Sequence, residues 1–117
     1  MVLIVGGEGS GKRSFVKSLG YTQADLADGV LDGRPVVFHL ERMVFQNPDG
    51  IDSLLPELEG KAAVLCNEVG SGVIPVDRDE RLGREAVGRL CIQLTQRAGC
   101  VVRMVCGIPT VIKGQLP

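Results

Sequence analysis

The chain has 117 residues, a length that suits one domain around one core. A formal net charge of −1 gives no general attraction for nucleic acid or an anionic membrane, and three phenylalanines and one tyrosine are too few for a base-stacking platform. No apolar run reaches the length of a membrane span and no basic leader precedes an apolar export segment, so a cytoplasmic protein is expected.

Residues 2–14 read Val-Leu-Ile-Val-Gly-Gly-Glu-Gly-Ser-Gly-Lys-Arg-Ser. The apolar run Val2 to Val5 has the branching of a buried strand, and a helix is expected from about Gly11 to Leu19. Between them lies the phosphate-loop pattern G-x-x-x-x-G-K, with Gly6 first, Gly11 second and Lys12 as the lysine. Glycines let successive backbone N–H groups face phosphate oxygens, the helix start adds its dipole, and the lysine reaches the outer phosphates. The nucleotide-binding candidates are therefore Gly6, Gly7, Glu8, Gly9, Ser10, Gly11, Lys12, Arg13 and Ser14. The hydroxyl that would bind Mg²⁺ is expected directly after the lysine, where Arg13 stands. Ser14 comes one residue later, about 100° further round a helix. Either Ser14 is recruited by a local shift, or water and carboxylates hold the metal.

Gly20 to Gly33 reads as a loop with one short helical turn around Thr22 to Ala27, Thr22 being a cap candidate. Val36 to Phe38 has strand character. However, Val37, Leu40, Val44 and Phe45 share a helical face, and a helix begun at Pro35 is the expectation. Asn47 to Gly50 is a turn, followed by an amphipathic helix carrying Ile51, Leu54, Leu55 and Leu58 and ending at Gly60. Ala62 to Cys66 is a second buried strand, and Gly70 to Pro75 a loop. The longest helix opens at Asp77 or Asp79, runs to about Arg97, and shows a stripe of Val87, Leu90, Cys91, Leu94 and Ala98. Cys100 to Cys106 is a third buried strand, Gly107 to Pro109 a turn, and Thr110 to Lys113 a short edge strand.

Strands alternating with helices predict one α/β domain over residues 1–117, a three-layer fold of phosphate-loop type with a mainly parallel sheet. Ligands collect at the carboxyl ends of such strands, where Gly6 to Lys12, Asn67-Glu68 and Gly107 are expected to meet. Glu68 stands where a second-strand carboxylate reaches Mg²⁺ or its waters, with a capping or ion-pair role equally open. The four cysteines include no C-x-x-C pair, and one histidine gives no zinc spacing. Cys66, Cys100 and Cys106 read as small buried hydrophobes in a reducing compartment.

From Asn67 the chain runs Asn-Glu-Val-Gly-Ser-Gly-Val-Ile-Pro, then an arginine-bearing helix with Gly88-Arg89, then Val101 to Gly107. With the Gly6 to Lys12 loop, this resembles the bifunctional adenosylcobinamide kinase/adenosylcobinamide-phosphate guanylyltransferase family of cobalamin biosynthesis. The resemblance covers the first twenty residues and the last fifty. It implies a transferase that moves the γ-phosphate of ATP or GTP to adenosylcobinamide, with Mg²⁺, nucleotide and corrinoid as ligands. It also implies a homo-oligomer, without nucleic-acid or membrane partners. Lys12 and Glu68 are then the main catalytic candidates, Ser14 and Glu68 the metal candidates, and Arg84 and Arg89 phosphate or interface arginines. Arg78 and Arg81 read rather as a solvated helix face. In that family a histidine a few residues before an Arg-Pro pair carries the guanylyl group. If Arg34-Pro35 is the pair, that position falls near Val30, so loss of the guanylyltransferase step is expected. The single histidine, His39, is a packing residue first and a nucleophile candidate second. The rivals to the enzyme are a non-catalytic or regulatory nucleotide-binding module and a structural subunit.

Overall fold

Alternation along the strands decides which helices cover which face of the sheet. The computed structural model describes residues 1–68 and 77–117. Strands β1 (Val2–Gly6), β2 (Leu26–Asp28), β3 (Val36–Phe38), β4 (Ala63–Asn67), β5 (Cys100–Val105) and β6 (Ile108–Gly114) form one sheet in the order β2-β3-β4-β1-β5-β6. Every pairing is parallel except β5 with β6. Leu3, Val37, Val64, Cys66 and Val101 face helices α2 (Leu40–Gln46), α3 (Ile51–Glu59) and α4 (Arg78–Arg97). Ile4, Phe38, Leu65, Val102 and Met104 face the other way, against Val16 of α1 (Lys12–Ser18) and against Leu26. The result is a three-layer α/β fold with a mostly parallel sheet, as the alternation of elements predicts.

The segment 36–45 corrects the expectation of a continuous helix. Val36, Val37 and Phe38 form a wholly buried strand, and the helix starts only at Leu40. Tertiary context outweighs the helical periodicity here: β3 pairs with β2 on one side and β4 on the other, satisfying backbone groups that a local helix would have paired internally. His39 makes the corner, with a left-handed backbone (φ 58°) that histidine tolerates better than most residues. The loop 20–33 is likewise shorter than expected. Thr22 and Asp25 form a reciprocal capping box on a single 3₁₀ turn, Gln23–Asp25, and β2 follows directly.

Arg34 holds the segment that leads into β3. Its guanidinium pairs with Asp32 at 2.7 Å and donates to the Leu26 carbonyl at 2.9 Å, pinning the β2–β3 connection. The side-chain and backbone hydrogen bonds that Arg34 donates to Asp32 hold its carboxyl down to about 2. Lys61 closes the same connection from the start of β4, donating to the Arg34 carbonyl at 2.8 Å.

At the far edge, β6 begins at Ile108, so the turn is tighter than Gly107 to Pro109 and the edge strand longer than Thr110 to Lys113. Cys106 sits at that turn and is exposed, unlike Cys66 and Cys100, which are buried. Asp77 caps α4 by accepting from the Asp79 N–H at 2.8 Å, in line with the expected start. The expected loop from Gly70 to Pro75 lies outside the described residues. Among the described residues, no helix is long and apolar enough to cross a membrane.

Candidate functional site

The chain runs from β1 through α1 to the distant edge strand β2, returns inward to β4, and then passes over β1 to β5. Strand order therefore reverses at β1, and the loop after β1 opens into the crevice where α/β sheets take ligands. Three segments close on it as expected. The Glu68 N–H donates to the Gly6 carbonyl at 2.8 Å, and the Gly107 N–H to the Ser10 carbonyl at 2.9 Å. The Asn67 side-chain amide donates to the Glu8 carboxylate at 2.6 Å.

Inside the loop, Lys12 turns back on its own backbone. Its ammonium donates to the carbonyls of Gly6 at 3.1 Å and Gly7 at 2.7 Å, and lies 3.4 Å from Ser10 Oγ. Lys12 is 5 % exposed, and this burial pushes its ammonium below its usual range, while Glu8, Glu41 and Glu68 work in the opposite direction. Gly11 makes the geometry possible. It caps α1 with φ 97°, and a Cβ there would stand 3.1 Å from the Gly107 Cα.

A cavity of about 360 Å³ opens over this loop, walled by Glu8 to Ser14 on one side and by Phe38, His39 and Asn67 on the other. Arg13, in the place where the pattern calls for a hydroxyl residue, lays its guanidinium 4.5 Å above the Phe38 ring. Ser14 is exposed and lies in the cavity wall. His39 is 7 % exposed, with Nδ1 2.6 Å from the Asp28 carboxylate. An ionised carboxylate can only accept, so Nδ1 is the donor in this pair.

The sequence candidates divide accordingly. Gly9 to Ser14, Glu8 and His39 share the cavity, with Gly6 and Gly7 beneath as partners of Lys12. Glu68 does not line it: its carboxylate takes Arg103 of β5, with contacts of 2.8 Å and 3.3 Å. Arg84 pairs with Glu80 at 2.9 Å along α4, and Arg89 is exposed on the same helix; neither lines the cavity. Among the described residues, no group of three or more His, Cys, Asp or Glu side chains could hold a metal by itself.

Three participants escaped the sequence reading: Asp28, Phe38 and Glu41. Asp28 and Phe38 are register partners at the ends of β2 and β3, so reading 36–38 as strand would have brought Asp28, Phe38 and His39 to the site at once. Glu41 is 6 % exposed and accepts the Asn67 N–H at 2.8 Å, fixing the end of β4 from α2. A buried glutamate in a helix's first turn carries no sequence signal of its own.

A comparison with curated proteins finds no match. A family model described as cobinamide kinase/cobinamide phosphate guanyltransferase matches residues 32–112, which includes β3, His39, Glu41, all of α4 and most of β6. The loop 6–14 lies before the matched stretch, and the sheet brings it against matched residues Phe38, His39 and Asn67. With well over half of its length matched, the chain belongs to the cobinamide kinase/cobinamide phosphate guanyltransferase family, transferases of cobalamin biosynthesis.

Proposed function

We propose that this chain binds ATP or GTP in the loop cavity and transfers the γ-phosphate to the hydroxyl of adenosylcobinamide. The observation that carries the reading is the closure of Gly6 to Lys12 around the Lys12 ammonium, inside a cavity shared with His39 and Asn67, in a member of this family. The loop's N–H groups and Lys12 would take the β- and γ-phosphates, and Arg13 adds a second cation on the same wall. The cobinamide hydroxyl attacks the γ-phosphorus in line, the bond to the β-phosphate oxygen breaks, and nucleoside diphosphate leaves. Mg²⁺ needs few protein ligands, since it takes one or two protein oxygens beside phosphates and waters. The Ser14 hydroxyl and the Glu8 carboxylate in the cavity wall suit that pattern, whereas Glu68 would first have to leave Arg103. Bound with nucleotide, the metal neutralises charge on the phosphates.

A second activity is favoured by the Asp28–His39 pair. Asp28 accepts from Nδ1 and so orients the imidazole for Nε2 to attack the α-phosphate of GTP, break the bond to the β-phosphate oxygen, release pyrophosphate and carry GMP. On this reading His39 takes the guanylylated role despite its displacement from the position near Val30.

Mass spectrometry of protein and small molecules after incubation with Mg²⁺, ATP or GTP, and adenosylcobinamide tests both. Phosphorylated cobinamide is expected from the wild type. GMP on the protein is expected with GTP and should disappear in His39→Ala. Nucleotide binding without transfer would overturn the kinase reading in favour of a non-catalytic module, and no GMP on protein or product would remove His39 as nucleophile.

Self-association belongs to the same reading. Ile108 and Ile112 of β6 and the adjacent Val105 of β5 expose 65 %, 59 % and 50 % of their surface, and among the described residues no strand pairs with the outer edge of β6, an apolar edge that invites a second copy. Light scattering should give a mass above one chain, and Ile112→Lys should lower it; a concentration-independent monomer would refute the assembly.

A further inference from the structure

Cys66 of β4 and Cys91 of α4 are 25 positions apart in sequence and in contact in the fold, Sγ to Sγ 3.8 Å. The other two cysteines are isolated from this pair by position: Cys100 is buried at the start of β5 and Cys106 exposed at the β5–β6 turn. The two sulfurs differ in access. Cys66 is 2 % exposed, whereas Cys91 is half-buried and lines an apolar groove of about 520 Å³ with Val87, Ile92, Val101 and Ile112. A small uncharged oxidant entering that groove meets Cys91 first, with Cys66 behind it as its only sulfur neighbour at contact distance among the described residues.

We infer that Cys66 and Cys91 form a reversible dithiol–disulfide site whose oxidant is a hydroperoxide. Cys91 sulfur attacks one peroxide oxygen, the O–O bond breaks, and the other oxygen leaves as water or alcohol, giving a Cys91 sulfenic acid. Cys66 sulfur then attacks the Cys91 sulfur. The S–S bond forms, the S–O bond breaks, and hydroxide departs with the Cys66 proton as water. Two electrons pass from the sulfurs to the peroxide, and an external dithiol returns them. Closing from contact to the roughly 2 Å of an S–S bond requires side-chain rotation and a small approach of α4. In a reducing compartment such a bond is transient and serves sensing rather than stability.

The location gives the bond something to act on. Cys66 immediately precedes Asn67 and Glu68, whose amide and N–H groups hold Glu8 and Gly6 of the loop. Drawing α4 toward the end of β4 therefore pulls on the segment that closes the nucleotide cavity.

The test uses reduced Cys106→Ser protein, which removes the exposed thiol, treated with a few equivalents of hydrogen peroxide and then alkylated under denaturing conditions. Cys100 alone should remain alkylatable, proteolysis should yield one peptide pair linked through Cys66 and Cys91, and dithiothreitol should restore both thiols. In Cys66→Ala, Cys91 should instead be trapped by dimedone as the sulfenic acid. Full alkylation of Cys66 and Cys91 after peroxide, or a link through Cys100, would overturn the inference. So would Cys91 accumulating as sulfinic acid while Cys66 stays free. None of these readouts depends on nucleotide binding, so the failure of one reading leaves the other standing.

Discussion

Lys12→Ala should weaken Mg²⁺-nucleotide binding by about 2–5 kcal/mol, roughly 30-fold to several-thousand-fold, the usual cost of removing one partner from a buried, hydrogen-bonded charge pair. The fold should survive the change. The Gly6 carbonyl keeps the Glu68 N–H at 2.8 Å, and the Gly7 carbonyl keeps the Ser10 N–H at 3.2 Å, so neither oxygen is orphaned when the ammonium goes. Lys12 itself is almost fully buried with its charge disfavoured by desolvation, so its removal relieves one cost while losing three contacts. Lys12→Arg should not rescue binding, because a rigid planar guanidinium cannot reproduce a compact ammonium folded back on two loop carbonyls. Calorimetric titration alongside a thermal melt separates the effects. Wild-type affinity in a folded Lys12→Ala protein would end the assignment of a phosphate-binding loop.

That loop is legible in the sequence because its chemistry is local: strand, glycines, lysine and helix start all lie within residues 2–14. The surroundings are not, because they depend on strands meeting across the sheet. β3 is three residues long, too short to show an alternation, and its neighbours β2 and β4 supply the pairing that makes it a strand. Once β3 is a strand, His39 becomes a residue at a strand's carboxyl end, and the β2–β3 register sets Asp28 beside it. Glu68 illustrates the opposite limit. Its position after a buried strand is plain in the sequence, yet its partner Arg103 arrives from β5, on the far side of β1, and no local pattern in either segment announces the pair. The long helix and its buried stripe are legible because 20 residues give the 3.6-residue period room to show, though Cys91 is half-buried, at the edge of that stripe.

Gly6→Ala against Gly7→Ala provides the sharpest contrast within the loop. A Cβ on Gly6 would lie 2.7 Å from the Met104 carbonyl oxygen, 3.1 Å from the Met104 Cβ and 2.5 Å from Ser10 Oγ. Ser10 can rotate, at the expense of its place beside Lys12. Met104 cannot step aside cheaply, since β5 is held in register by β1 on one side and β6 on the other. The expected cost is that of an overpacked core site, about 1–3 kcal/mol, or roughly 4–15 °C in Tm for a chain of this size. Nucleotide affinity should fall with it, because Gly6 carries a carbonyl that both Lys12 and Glu68 bond. Among the described residues, a Cβ on Gly7 would meet no heavy atom within 4 Å, and the Gly7 backbone is not left-handed, so Gly7→Ala should stay within about 0.5 kcal/mol of wild type. Paired thermal melts and nucleotide titrations decide the matter. Equal behaviour of the two variants would mean that β1 does not approach β5 so closely at Gly6, and the crevice built on that approach would have to be redrawn.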